Sequence, residues 1–179
     1  MPRWNKKRSK IIAESTFFTL REDEVVLPDG TEKVYTMLDI PDFAGVLPVY
    51  RDDLILIRNY RYPIKETVLE LPAGLIEEDE SPLEAASREL EEETGYRLKH
   101  AEKLIKYHPI ASLNTQEAHI FLAEVEDGGK LERDPSEDMR VEKIPIKEVY
   151  RMLENKKIKH PHTIIALHYS KNKLSDFFK

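Results

Sequence analysis

Three glutamates near the end of one short acidic segment have the type and spacing to hold a metal ion. Glu89, Glu92 and Glu93 stand at positions i, i+3 and i+4, so on a helix their carboxylates project from one side. Like charges at this spacing repel each other, and the helix dipole is negative at the same end. Mg²⁺ binds such oxygen ligands together with substrate phosphates. The spacing therefore predicts a divalent-metal site, with a solvated acidic helix as the alternative.

The segment around these glutamates contains the signals of a complete helix. Residues 73–96 have nine acidic side chains and one basic side chain. Ser81 can cap the N-terminus, Pro82 fits the first turn and Glu84 completes a capping box. Gly95 suits the C-terminal stop. We therefore expect one helix between Ser81 and Gly95.

Short apolar strands make up most of the remaining chain. Strands are expected within residues 11–40 and at 45–50, 54–60, 67–71, 103–107, 119–125 and 139–144. Two stretches, 146–158 and 161–173, have helical periodicity. Because strands and helices do not alternate strictly, the pattern predicts an α+β fold instead of a doubly wound sheet.

Composition excludes several classes of function. The chain has 179 residues, no cysteine and a formal net charge of −6, so thiolate chemistry is excluded and nucleic-acid binding is not expected. A basic run from Arg3 to Lys10 predicts a solvated tail leading into a first strand, with a phosphate clamp as the alternative. No apolar run has the length of a membrane span and no signal-peptide pattern is present. We expect a cytoplasmic protein.

The acidic segment resembles the Nudix box. Gly74, five residues, Glu80, seven residues and then Arg88–Tyr96 match every fixed position of that motif. Tyr96 stands where an aliphatic residue is more usual. The resemblance implies an α/β/α sandwich with a mixed sheet, in which a loop–helix–loop holds Mg²⁺ or Mn²⁺ against a pyrophosphate.

The resemblance also implies a role for each matching residue. The expected metal ligands are the carbonyl of Ala73 and the carboxylates of Glu89, Glu92 and Glu93. Gly74, Glu80 and Arg88 would brace the loop, and Arg88 and Glu93 count among the catalytic residues.

Stretches outside the box resemble the ADP-ribose pyrophosphatase branch of this family. They are Arg58–Ile64, Leu69–Glu77 and Lys159–Tyr169. In that branch an N-terminal β-domain is exchanged in a homodimer whose sites lie at the subunit interface. The resemblance thus implies a small antiparallel β-domain at residues 1–43 and a catalytic domain at 44–179.

Three residues match substrate contacts of this branch. Arg61 matches a substrate-contacting arginine, and Phe17 and Tyr35 match two aromatic positions that sandwich the adenine. Core packing is the alternative for both aromatic residues. The catalytic base is expected at Glu137, with Asp138 beside it, in a late acidic loop for which plain solvation is the alternative.

The implied reaction is hydrolysis of ADP-ribose, or of a related nucleoside diphosphate sugar, to AMP and ribose 5-phosphate. A dinucleoside polyphosphate or RNA-cap pyrophosphatase is one alternative, and an inactive nucleotide-sensing module is another. Two departures bear on the choice of sugar: Ile110–Ser112 replaces the usual Ser-Pro-Gly, and Ile40 stands where an arginine is frequent.

Overall fold

The structure, a computed structural model, describes residues 3–129, 131 and 138–175. Within these residues the chain forms ten strands and three helices, so the predicted α+β class is confirmed. Among the helices of the described part, none is both long enough and apolar enough to cross a bilayer.

The chain divides into two compact units. The first contains the residues up to Asp42 together with Tyr107–Ala118. The second contains Phe43–Lys106 and the residues from His119 onward. The sequence predicts a continuous division at residues 1–43 and 44–179, with 107–118 in the catalytic domain.

A three-stranded antiparallel sheet forms the centre of the first unit, with the strands in the order β1(Asn5–Glu14), β2(Thr19–Val26) and β3(Glu32–Asp39). The turn expected between β2 and β3 is present. The Leu27 N–H donates to the Thr31 carbonyl at 2.8 Å, and Gly30 has a left-handed φ of 86°. Glycine suits this turn because a Cβ disfavours a positive φ.

Strand β1 begins inside the basic run, not after it. The run was expected to be a solvated tail, but it forms hydrogen bonds with β2 from Asn5 onward. All ten residues of β1 are exposed, so this strand shows no buried face from which the sequence could have predicted it. Lys7 forms an ion pair with Glu32, and the Ser9 hydroxyl donates to Asp23 at 2.5 Å.

The remaining elements, apart from one end residue in each of two strands, lie in the second unit. They are β4(Phe43–Tyr50), β5(Asp53–Arg61), β6(Glu66–Glu70), β7(Ala73–Leu75), α1(Pro82–Thr94), β8(Tyr96–Tyr107), β9(Ala118–Asp127), β10(Met139–Pro145), α2(Ile146–Glu154) and α3(Pro161–Ser170). The last residue of β8 and the first residue of β9 belong to the first unit. The mixed seven-stranded sheet has the order β10-β5-β4-β9-β8, with β6 paired to β5 and β7 paired to β4.

Both faces of this sheet are covered. Buried residues of α1, β4, β5 and β9 form one apolar cluster, which includes Ala44, Ile55, Leu90 and Phe121. Successive side chains of a strand point to opposite faces, so the fully buried Leu47 lies on the other face of β4. Helix α3 contacts β4 and β6. The predicted sandwich of helices around a sheet is therefore confirmed.

Helix α1 has the predicted ends. The Ser81 hydroxyl accepts from the Glu84 N–H at 3.3 Å, and the Glu84 carboxylate accepts from the Ser81 N–H at 2.8 Å. Gly95 ends the helix with a left-handed φ of 74°. These caps fix where the helix begins and ends, and therefore which face presents the glutamates.

Candidate active site

Arg88 lies between the carboxylates of helix α1 and the loop that precedes the helix. Its Nε donates to Glu80 at 2.9 Å and its Nη2 donates to the Leu75 carbonyl at 3.0 Å. Its Nη1 donates to Glu89 at 2.6 Å and to Glu92 at 3.3 Å. The hydrogen bond from Arg88 holds the pKa of the Glu80 carboxyl below its usual value, and Glu80, followed by Glu89, raises the pKa of Arg88. Arg88 thus connects the helix to the loop before it.

Glu93 contacts the loop before helix α1 directly, through a backbone N–H. Its Oε2 accepts from the Ala73 N–H at 3.1 Å. Ala73 pairs with Gly45 of β4, and the Pro72 carbonyl accepts from the Val46 N–H at 3.0 Å. The backbone around the expected ligand carbonyl is therefore fixed by the sheet on one side and by Glu93 on the other.

Gly74 lies directly beneath the Glu89 carboxylate. A Cβ built on Gly74 would be 1.9 Å from Glu89 Oε1 and 2.1 Å from its Cδ. No side chain fits at such a distance, so any larger residue would displace the carboxylate. This close approach gives a physical reason for glycine at this position.

The donor set of the cluster fits a hard divalent cation. Three carboxylates, those of Glu80, Glu89 and Glu92, lie around the Arg88 guanidinium. The Glu93 carboxylate lies on the same helix against the Ala73 N–H, so the ionised site has four negative charges and one positive charge. The side chain of Glu92 is 36% exposed and that of Glu89 is 16% exposed. Oxygen donors with excess negative charge are what Mg²⁺ and Mn²⁺ prefer.

Arg61, the expected substrate contact, lies at the end of β5. It donates from Nε and Nη2 to the two oxygens of Glu70, at 2.8 and 2.5 Å. The Arg61 side chain is 44% exposed, whereas that of Glu70 is 5% exposed. A fork-shaped pair of this kind orients the guanidinium plane.

The two expected adenine contacts occupy different parts of the first unit. Phe17 lies between β1 and β2 with 67% of its surface exposed. Tyr35 lies on β3, where its hydroxyl donates to the Ser112 carbonyl at 2.6 Å and its ring packs edge-on against Trp4 at 5.9 Å. A cavity of about 390 Å³ beside Tyr35 is lined by Trp4 and by neighbouring residues, but not by Phe17. The adenine sandwich stays a prediction.

The expected base, Glu137, lies outside the described residues. Its neighbour Asp138 accepts a hydrogen bond at its carbonyl from the Tyr60 N–H at 3.1 Å. Met139 pairs with Asn59. The backbone of Asp138 therefore lies beside Tyr60, the residue that precedes Arg61 at the end of β5.

Comparisons with known proteins decide the family. Residues 41–167 match the NUDIX domain, and residues 4–38 match the nucleoside diphosphate sugar hydrolase N-terminal domain. The chain belongs to the Nudix family. The predicted family and enzyme class, a Nudix hydrolase, are confirmed.

Relatives of this Nudix chain match it along most of its length. An "ADP-ribose pyrophosphatase" of Bacillus subtilis (strain 168) is 30% identical over 89% of this chain and 91% of its own length. A "CMP-5'-(N-acetyl-N-hydroxy-3-aminopropyl)phosphonate hydrolase" of Streptomyces rubellomurinus is 30% identical over 92% of this chain and 81% of its own. The solved "Crystal structure of ADP compounds hydrolase" has a TM-score of 0.87 and 26% identity, covering 98% of this chain and 96% of that chain. The predicted resemblance to the ADP-ribose pyrophosphatase branch is confirmed.

Sequence reasoning missed the role of one charged residue at the end of β6. Glu70 is 4% exposed and pairs with Arg61, but the sequence predicted only that it lies in a strand and in the Leu69–Glu77 resemblance. The available signal was an acidic residue between Leu69 and Leu71, both of which are buried. A buried carboxylate needs a partner, so its presence in an apolar strand predicts a nearby cation.

Proposed function

We propose that this Nudix hydrolase cleaves the pyrophosphate bond of ADP-ribose, or of a related nucleoside diphosphate sugar, giving AMP and ribose 5-phosphate. The observation that supports it most strongly is the carboxylate cluster on α1, packed on the Ala73–Gly74 loop. The match of residues 4–38 to the N-terminal domain of nucleoside diphosphate sugar hydrolases points to the substrate class. The Bacillus subtilis relative, named for ADP-ribose, points to the nucleotide.

The α1 cluster has the residues needed to hold Mg²⁺ or Mn²⁺. Glu89, Glu92, Glu93 and the Ala73 carbonyl would bind the ion, which supplies positive charge to the pyrophosphate oxygens and acidifies a bound water. Arg88 keeps Glu89 and Glu92 in place through its Nη1 hydrogen bonds. The exposed face of Arg61 would contact a phosphate of the substrate.

Glu137 is proposed as the general base. Carboxylates bound to a metal have a depressed proton affinity, so a carboxylate outside the box is better suited to accept the proton of water. Glu137→Gln is expected to lower kcat by about a hundredfold or more, with little change in KM. Asp138→Asn should have a smaller effect. Steady-state kinetics that show the opposite order would place the base at Asp138.

A substrate panel tests the proposed reaction. Purified protein with Mg²⁺ is given ADP-ribose, ADP-glucose, a UDP-linked sugar, a CMP-linked phosphonate, a dinucleoside tetraphosphate and capped RNA, and the products are resolved by chromatography. We expect the highest kcat/KM with ADP-ribose, with AMP and ribose 5-phosphate formed in equal amounts. The name of the Streptomyces relative makes the CMP-linked phosphonate the main competitor. Preference for a substrate without a sugar–diphosphate linkage would refute the proposal.

A homodimer with an exchanged N-terminal unit is proposed as the active form. The first unit exposes large apolar side chains on its sheet and turns, including Ile11, Ile12, Phe17 and Val34. A second copy of the chain would cover them and would bring Phe17 and Tyr35 to the nucleotide base. The expected cytoplasmic location rests on the sequence alone.

A further inference from the structure

The Arg61–Glu70 pair combines an exposed cation with a buried anion. Glu70 lies at the end of β6 with only 4% of its surface exposed, so it cannot itself reach a substrate in solution. Its two oxygens accept from two different nitrogens of Arg61. Two parallel hydrogen bonds fix both the position and the plane of a guanidinium, which a single bond does not.

The backbone after Glu70 is fixed at each successive residue. The Leu71 N–H donates to the buried Thr163 hydroxyl at 2.9 Å. The Pro72 carbonyl accepts from the Val46 N–H at 3.0 Å, and the Ala73 N–H donates to Glu93 at 3.1 Å. Each of the four consecutive residues from Glu70 to Ala73 thus has a hydrogen bond to a neighbouring element, and together they connect the Arg61 pair to the carboxylates of α1.

Helix α3 holds the same segment from the other side. The Thr163 hydroxyl that binds Leu71 is fully buried and also contacts His160 Nδ1 at 3.0 Å. The His162 ring packs edge-on against Phe43 at 4.4 Å. The backbone next to Glu70 is therefore held by a packed helix, and a side chain needs such a support if it is to orient another.

We propose that Glu70 is a positioning residue, which aims the Arg61 guanidinium at an anionic phosphate of the substrate and holds it in register with the Ala73 loop. This inference rests on the proposed function, because it assigns the phosphate contact to Arg61. A positioning role differs from a purely stabilising one in its effect on binding. If Glu70 positions Arg61, removal of the Glu70 charge must weaken substrate binding, whereas a stabilising ion pair would affect only the fold.

Substrate binding without turnover is the first test. ADP-ribose is titrated into ¹⁵N-labelled protein in EDTA, and Kd is read from backbone amide shifts. Glu70→Gln is expected to weaken binding about tenfold, which corresponds to roughly 1.4 kcal/mol. Glu66→Gln is the matched control, because Glu66 lies on the same strand but is exposed and pairs with Lys159. The control should change Kd less than about twofold.

A double-mutant cycle separates positioning from stability. Arg61→Lys keeps the positive charge but cannot form the two parallel hydrogen bonds to Glu70. We therefore expect a loss of binding similar to that of Glu70→Gln. In the Arg61→Lys background, Glu70→Gln should add less than about a twofold change, since it acts through the same guanidinium. With Mg²⁺ present, Glu70→Gln should raise KM about tenfold, lower kcat less than about threefold and leave the Mg²⁺ requirement unchanged.

The outcomes distinguish this inference from the proposed function. An unchanged Kd in Glu70→Gln, or independent effects in the double variant, overturns the positioning role even if the wild type is active. A wild type that binds ADP-ribose but does not cleave it refutes the proposed function and leaves the Kd comparison valid. No binding by the wild type overturns both. If Glu70→Gln does not fold, the Arg61 Nε–H signal of the wild type decides: it must be protected from solvent exchange and must shift with ADP-ribose.

Discussion

At the scale of residues, the main feature of the site is that one arginine cannot balance four carboxylates. Glu93→Gln keeps the volume of the side chain and can still accept from the Ala73 N–H, but it removes one charge from the proposed metal ligands. We expect Mg²⁺-dependent turnover to fall by several orders of magnitude while the fold stays intact. In EDTA the variant should be as stable as the wild type or more stable, because repulsion with Glu89 is relieved. Steady-state kinetics and thermal unfolding measure the two effects.

Glu91→Gln is the matched control for this experiment. Glu91 lies on the same helix and its Oε1 is 3.6 Å from Arg97 Nε, away from the Arg88 contacts. Turnover of this variant should stay within about twofold of the wild type. Near-normal activity of Glu93→Gln would contradict the metal assignment.

Gly74→Ala tests the contact between the loop and Glu89. The new Cβ would lie 1.9 Å from Glu89 Oε1, so the carboxylate must move. Because Gly74 has no left-handed backbone, we expect little loss of stability but a loss of activity of about a hundredfold or more. Activity with Mg²⁺ and the melting temperature are measured together.

Gly30→Ala is the control, because we expect it to lose stability and keep activity. Gly30 has a φ of 86° but nothing within 4 Å of an added Cβ. Alanine there should cost about 1 kcal/mol of stability through backbone strain and leave activity unchanged. Activity retained in Gly74→Ala would show that the Glu89 position is not required.

The chemistry of these residues could be predicted from the sequence, but their contacts could not. The spacing of Glu89, Glu92 and Glu93 is set by helix geometry, which is local. The contact between Gly74 and Glu89 and the pair of Arg61 with Glu70 depend on how a loop and two strands pack. Nothing in the local pattern determines such packing, so these contacts appear only in the folded chain.

At the scale of elements, local signals decided which parts were predicted well. Helix α1 was predicted from Ser81 to Gly95 because its caps are chemical features of single residues. Strand β8 begins at Tyr96, whereas only 103–107 was expected; in its first half the half-buried Tyr96 and Leu98 alternate with the exposed Arg97 and Lys99. Strand β1 was missed in its first part because all of its residues are exposed. Exposed strands have no buried face to reveal them.

The start of helix α3 predicts a dependence of stability on pH. Burial, with the nearby Arg61 charge, lowers the pKa of His160 from 6.5 to about 4. Burial, with His160, lowers the pKa of His162 to about 4, although Glu70 opposes this. Below pH 6.5 the unfolded chain binds protons that the folded chain does not, so stability present above pH 6.5 is lost as pH falls toward 4. Each histidine contributes a slope of up to about 1.4 kcal/mol per pH unit.

Chemical denaturation between pH 5 and pH 7 measures this slope. His162→Gln should reduce the slope by as much as one histidine contributes. His168→Gln is the matched control, because His168 is exposed on the same helix, and it should leave the slope unchanged. Equal slopes in wild type and His162→Gln would refute the contribution assigned to the half-buried His162.

At the scale of the whole molecule, the sequence predicted a small β-domain before the catalytic domain but not all of its parts. Residues Tyr107–Ala118 belong to the first unit, where the Leu113 carbonyl accepts from the Leu38 N–H at 2.9 Å and Asn114 bridges to Leu38. This contact joins segments that are about 75 residues apart in sequence. Such long-range pairing has no local signature, so only the fold reveals that the unit is discontinuous.

The last prediction is that the chain forms an obligate homodimer through residues 11–40. A three-stranded sheet of this size is marginal alone and needs a surface that covers it. Ile11 is 58% exposed and Phe17 is 67% exposed, a cost that a second copy would remove. Sedimentation velocity at micromolar concentration should give about twice the 20.9 kDa of one chain.

Ile11→Glu should shift the protein toward monomer and raise KM for ADP-ribose, whereas Ile64→Glu, at a position equally exposed at 57%, should do neither. A stable monomeric wild type would contradict the dimer and would remove the support for the Phe17 and Tyr35 roles.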